Sequence, residues 1–193
     1  MQEDHDCKNL KPIGARPKTV LETQREQGMA AFRRLKLWAE EQRKKKEAQN
    51  KKSEKSGFSL FSKSKASSGV SASVIAEQQA LKRAAKGDEK VPAEKRIYLY
   101  VEASADTTKS KYPSGKFFYN KEWSVGKVLD AAAKSLQVQN VNNRGGGEED
   151  KLRVFHVEGG KLLNFGEKIG ERVKTGDMIV LLRGVGDPNL IDL

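Results

Sequence analysis

Few residues of this chain could do chemistry. In 193 residues there is one cysteine, Cys7, and two histidines, His5 and His156. His5 and Cys7 stand two apart, as His-x-Cys, and imidazole and thiolate are the ligands zinc prefers. A structural zinc site closes with four such ligands, and this pair offers two. Taken alone, the spacing is better explained by chance at a frayed terminus, where disorder concentrates. His156 falls in a strand-like stretch with no nucleophile near it in sequence, which suits a structural or surface histidine. The glycine run Gly145–Gly147 could cradle a phosphate. However, Glu148, Glu149 and Asp150 follow it, and a strand rather than a helix N-terminus comes next, so a loop fits better. No catalytic constellation emerges, and the expectation is a protein that is not an enzyme.

Charge is the next candidate. The net charge is +11. Residues 1–95 hold 22 Lys+Arg and 13 Asp+Glu, whereas residues 96–193 hold 15 and 13, so the basic character belongs to the N-terminal half. The tract RKKKEAQNKK (43–52) admits a solvated helix face, a nuclear localisation patch or a nucleic-acid contact. Its interleaved acids and absent aromatics weigh against single-strand binding, which usually adds stacking platforms. One cysteine excludes an internal disulfide and suits a reducing compartment. No apolar run approaches the length of a membrane span. The expected location is cytoplasmic, with the nucleus also open.

These residues need elements to position them. Residues 8–19 carry two prolines and a glycine and read as extended. A basic amphipathic helix is expected over 20–52. Thr19 and Glu22 form a capping box, and Met29, Phe32, Leu35 and Trp38 make a stripe thickened by Ala31 and Ala39. Residues 53–92 read as a low-complexity linker holding the apolar island Phe58–Leu60–Phe61 and a short helix at 74–86. From 93 the texture changes. RIYLYVEA alternates as a strand, YPSG turns, and KFFYN is a second strand. Ser124 caps a helix with Val125, Val128, Leu129, Ala132 and Leu136 on one face. KLRVFHV, KLLNF and DMIVLLR are three later strands. The order β-β-α-β-β-β predicts an α+β, β-grasp fold over 93–186, with 187–193 as a tail. The last strand would insert centrally, because a strand covered on both faces need not alternate.

This pattern resembles ubiquitin, and IVLLRGVG is similar to its last strand and Arg-Gly tail. KFFYNKEWSVGKVLDAAAKSL, followed by KLRVFHVEGGKLLNF, resembles the C-terminal ubiquitin-like domain of a family of AN1-type zinc-finger proteins. Those proteins are stress-response cofactors of the ubiquitin-selective AAA ATPase. An AN1 finger ends in C-x2-H-x5-H-x-C, so the resemblance makes His5 and Cys7 the last ligands of a finger and residues 1–8 its remnant. The chain then reads as truncated inside that finger. Zinc is expected in the full-length protein and none on this chain, because two ligands do not close a site.

The resemblance implies an adaptor in ubiquitin-dependent quality control and stress response, docking on the AAA ATPase segregase, the proteasome or ubiquitin receptors. Aligning LLR (181–183) with the final strand of ubiquitin places Met178 and Val180 inward, and Ile179 and Leu181 outward. The same logic places Leu152 and Val154 inward and Phe155 outward. Phe155, Ile179 and Leu181 would then form an exposed partner-binding patch, unless the Met29–Trp38 stripe covers that face. Related ATPase-binding domains carry a Phe-Pro-Arg turn between the third and fourth strands. Here it is Glu158-Gly159-Gly160. Val185 between the glycines makes a conjugated modifier a poor fit. The rival reading is a nucleic-acid or ribosome-associated protein that binds through the basic helix.

Overall fold

The computed structural model describes residues 19–55, 72–143 and 147–186, with side chains at 19–45, 47–48, 74–143 and 147–186. His5 and Cys7, the island Phe58–Leu60–Phe61, Gly145 and Gly146, and the tail 187–193 lie outside the described residues.

Five strands form one mixed sheet: β1 (Arg96–Ala103), β2 (Ser114–Asn120), β3 (Arg153–His156), β4 (Lys161–Leu163) and β5 (Met178–Leu182). Their spatial order is β2-β1-β5-β3-β4. β1 pairs parallel with β5, and the other pairs are antiparallel. The last strand in sequence is thus the middle strand in space, which together with a helix across one face makes an α+β, β-grasp fold.

That helix is α3 (Val125–Leu136). Ser124 stays extended, and its Oγ accepts a hydrogen bond from the Lys127 backbone N–H, satisfying one donor at the free helix end. At the other end Gln137 turns into the left-handed region, and the Val138 N–H donates to the Ala133 carbonyl. Val125, Val128, Leu129, Ala132 and Leu136 sit against the inner face of the sheet, where Leu99, Val101, Val154, Ile179 and Leu181 meet them. A short α4 (Ile169–Arg172) and Val173 close the end of this core.

The outer face is covered too. α1 (Val20–Lys55) opens with the capping box: the Thr19 N–H donates to Glu22 Oε2, and the Glu22 N–H donates to Thr19 Oγ1. At 1.5 Å per residue it is about 54 Å long, far more than the sheet needs. Its first half lies on β3 and β5. Phe32 and Ala39 are buried there with Phe155, Val157, Val180, Leu182 and Val185, and Met29 and Leu35 pack alongside. The Phe32 and Phe155 rings meet edge to face, 5.6 Å between centroids and 88° between planes. Closest approach is at Gly28. A Cβ there would lie 2.4 Å from the Arg183 carbonyl oxygen and from Gly184 atoms, so only two glycines let these backbones touch. Arg34 pairs with Asp106 at 2.5 Å, and the Gln24 amide donates to the Glu149 carbonyl at 3.3 Å.

The segment expected to be a linker supplies a second cover. α2 (Ala72–Ala84) buries Leu81 completely. After it, Lys86 forms a bridge alongside Phe117 and exchanges backbone hydrogen bonds with Lys116 and Phe118. Residues around 86 therefore occupy the outer edge of β2, blunting an edge that could otherwise pair with another chain.

Candidate functional site

The structure corrects the expected patch. Phe155, Ile179 and Leu181 are all 0 % exposed. Phe155 does point to the outer face, but α1 covers it. Ile179 and Leu181 point inward to α3, and Val180, placed inward from sequence, lies on the outer face with Phe155. Pairing shows the shift: Val154 stands opposite Leu181, and Phe155 opposite Val180. Residues directly opposite share a face, so the inner row is Val154–Leu181 and the outer row Phe155–Val180. The physical reason is that β5 is apolar throughout, Met178 to Leu182, and so carries no alternation from which to choose a face.

What remains open on the outer face is the space between the two covering helices. A groove of about 440 Å³ runs there, with Trp38 on α1 and Val74 on α2 as walls and Tyr100 and Met178 as floor over buried Leu81 and Val157. Trp38 remains 37 % exposed, and exposed Val74 of α2 shares the lining with it. Three carboxylates line the groove, Glu77, Glu158 and Asp177, and among the described residues no Lys or Arg does. The Tyr100 hydroxyl titrates above its ordinary value, first because it is partly desolvated and then because Glu77 faces it. A larger recess of about 660 Å³ lies near the N-terminal end of α1. It has no aromatic wall, and Asp106 is balanced there by Lys109 and Arg183.

At one end of the groove His156, Glu158 and Asp177 converge, their polar atoms all within 4.8 Å of one another. His156 Nε2 lies 2.9 Å from Asp177 Oδ2 and 3.6 Å from Glu158 Oε2. The carboxylates also accept backbone hydrogen bonds, Glu158 from the Met178 N–H and Asp177 from the Lys174 N–H. This clamps the β3–β4 turn to the start of β5. Sequence reasoning treated His156 alone. Its partner Asp177 lies 21 residues away, with no local spacing to betray it.

The set does not fit the structural zinc of an AN1 finger. It offers no thiolate. A metal on Nε2 would also move the ring proton to Nδ1, which is buried without a hydrogen-bond partner beside Gly159. The residues expected to hold zinc, His5 and Cys7, lie outside the described residues.

The comparisons with known proteins agree with the fold. Residues 118–185 match the family model described as a ZFAND1-like ubiquitin-like domain. The chain is 29 % identical over 133 residues to a Saccharomyces cerevisiae protein named CDC48-associated ubiquitin-like/zinc finger protein 1, covering 65 % of this chain and 48 % of that one. It is 37 % identical over 97 residues to AN1-type zinc finger protein 1 of Mus musculus, covering 50 % of this chain and 34 % of that one. The human protein of that name is 36 % identical over 83 residues, covering 43 % of this chain and 29 % of that one. The chain therefore spans less than half the length of these curated relatives. The domain match and the strand order agree: residues 118–185, which lie within the β-grasp fold, are similar to a ZFAND1-like ubiquitin-like domain.

Proposed function

We propose that the chain is a non-enzymatic adaptor whose ubiquitin-like domain docks on an AAA ATPase of the CDC48 type. The observation that carries this reading is the β-grasp module with its aligned relative, whose name joins a ubiquitin-like domain to CDC48 association. Two features of the molecule support it. The outer face ends in a groove with an exposed tryptophan wall over an apolar floor, a surface suited to docking. The Glu158-Gly159-Gly160 turn is folded back onto His156 and Asp177, so docking through this module uses another surface than a projecting turn. We extend the reading to quality control under stress, with the proteasome as a second destination, and to a cytoplasmic location with the nucleus also open. In the full-length protein His5 and Cys7 would be the last zinc ligands of an AN1 finger.

The test is capture of the purified ATPase by the immobilised chain at low and high salt. An apolar contact survives added salt, whereas phosphate binding through the basic helix weakens steeply with it. Capture that persists at high salt supports the adaptor. No capture, together with salt-sensitive retention of RNA, would favour the nucleic-acid reading instead.

A further inference from the structure

We infer that the groove between α1, α2 and the sheet receives a short segment of a partner protein that carries a bulky apolar side chain flanked by lysine or arginine. This deepens the adaptor reading by naming a surface, and it rests on that reading only for the kind of partner.

Shape is the first argument. Trp38 and Val74 are the walls, and Tyr100 and Met178 are the floor over buried Leu81 and Val157. A volume of about 440 Å³ accommodates a large side chain and its neighbours. An exposed tryptophan over an apolar floor is the composition that dominates binding energy in interfaces. Other apolar groups of this face are used internally: Phe155, Val180 and Leu182 lie under α1. Of the exposed large apolar side chains, Trp38 and Val74 line the groove from α1 and α2.

Charge is the second argument, and it selects the occupant. The whole chain carries +11, yet among the described residues the groove is lined by Glu77, Glu158 and Asp177 and by no Lys or Arg, Lys116 reaching only the Tyr100 ring at 5.7 Å. With His156 counted as a cation the local balance is still negative. The net positive charge disfavours basic segments in general, and the three acids of this lining favour them here, which gives both specificity and orientation. The three acids arrive from separate places, Glu77 from α2, Glu158 from the β3–β4 turn and Asp177 from the start of β5. Their coincidence follows from the tertiary packing.

The probe is a fluorescein-labelled peptide, Lys-Arg-Leu-Phe-Lys-Arg, with Glu-Asp-Leu-Phe-Glu-Asp as its acidic counterpart. Binding to the full chain is followed by fluorescence anisotropy. The basic peptide should bind and the acidic one should not. Glu77→Lys and Trp38→Ala should each weaken binding by about tenfold or more, as anchors of an interface do. Glu171→Lys, an equal charge change on exposed α4, should not. Circular dichroism of each variant confirms that it is folded. Equal binding of both peptides, or binding unaffected by Glu77→Lys and Trp38→Ala, overturns the inference. Self-association of the chain that disappears in Glu77→Lys would place a second copy in the groove and also overturn it. ATPase capture is measured in parallel. Capture without peptide binding refutes the groove and leaves the adaptor. Peptide binding without capture does the reverse.

Discussion

The two faces of the sheet are buried by different means. On the inner face α3 is sequence-local to the domain, has a hydroxyl cap, and packs an unbroken apolar stripe against Leu99, Val101, Val154, Ile179 and Leu181. On the outer face α1 comes from far upstream, is basic along much of its length, and reaches the sheet through a short line, Gly28, Met29, Phe32, Leu35 and Ala39. The inner contact is the core that any β-grasp domain must build. The outer contact is an intramolecular cover, placed where a ubiquitin-like module would otherwise present apolar surface. The difference shows how a domain can keep its fold while its own upstream segment decides which part of its surface is offered.

Truncating the inner row should have the largest effect. Leu181→Ala removes a fully buried side chain between α3 and the sheet, and should cost about 2–5 kcal/mol of unfolding free energy in a denaturant melt. Phe32→Ala should act on the cover first, at about 1.5–3 kcal/mol for one large apolar side chain withdrawn from its site. Hydrogen exchange separates the two: α1 amides lose protection while those of β1 and β5 keep theirs. Equal loss at both faces would merge the two regions into one cooperative unit.

A sign test follows at Gly28. In an isolated helix Gly→Ala stabilises by about 0.8–1.0 kcal/mol. Here the added Cβ would fall 2.4 Å from the backbone of Gly184, so Gly28→Ala should lower the melting temperature instead. A rise would mean that α1 does not rest on the Arg183–Gly184 strand end.

The smallest effect is electrostatic. Glu148 sits in the short turn before β3, next to Glu149, whose carbonyl accepts from Gln24 of α1. Its carboxyl is held below the ordinary range, first by its hydrogen bond to Lys151 and, against some desolvation, by the charges of Arg153 and Lys151. A lowered native value adds stability above the unfolded pKa, and that stability is lost as pH falls through the native one. The group is largely solvent-screened, so the loss on acidification should stay well under about 1 kcal/mol. Glu148→Gln should flatten that part of the melting profile between neutral and acid pH, without touching the core.

Much of the domain was legible because its signals are local. β1 alternates strictly, with Ile97, Leu99, Val101 and Ala103 inward and Tyr98 and Tyr100 outward. Ser124 and the α3 stripe are a cap followed by a period, and Thr19 with Glu22 is a capping box. The central position of β5 followed from its unbroken apolar run. That same run hid its register, because a strand buried on both sides has no parity to read. Gly28 was the overlooked signal: a glycine inside an otherwise good helix often marks a close approach.

The sequence by itself determined the elements, the β-grasp order and the apolar stripe of α1, since each depends on spacing within a dozen or so residues. Only the tertiary structure decided what those surfaces meet. It laid Phe32 on Phe155, turned Leu181 inward and Val180 outward, joined His156 to Asp177, and gathered Glu77, Glu158 and Asp177 around one groove. These pairings join residues far apart in the chain. They are set by which packing of the whole buries the most apolar surface, and no local period records that choice.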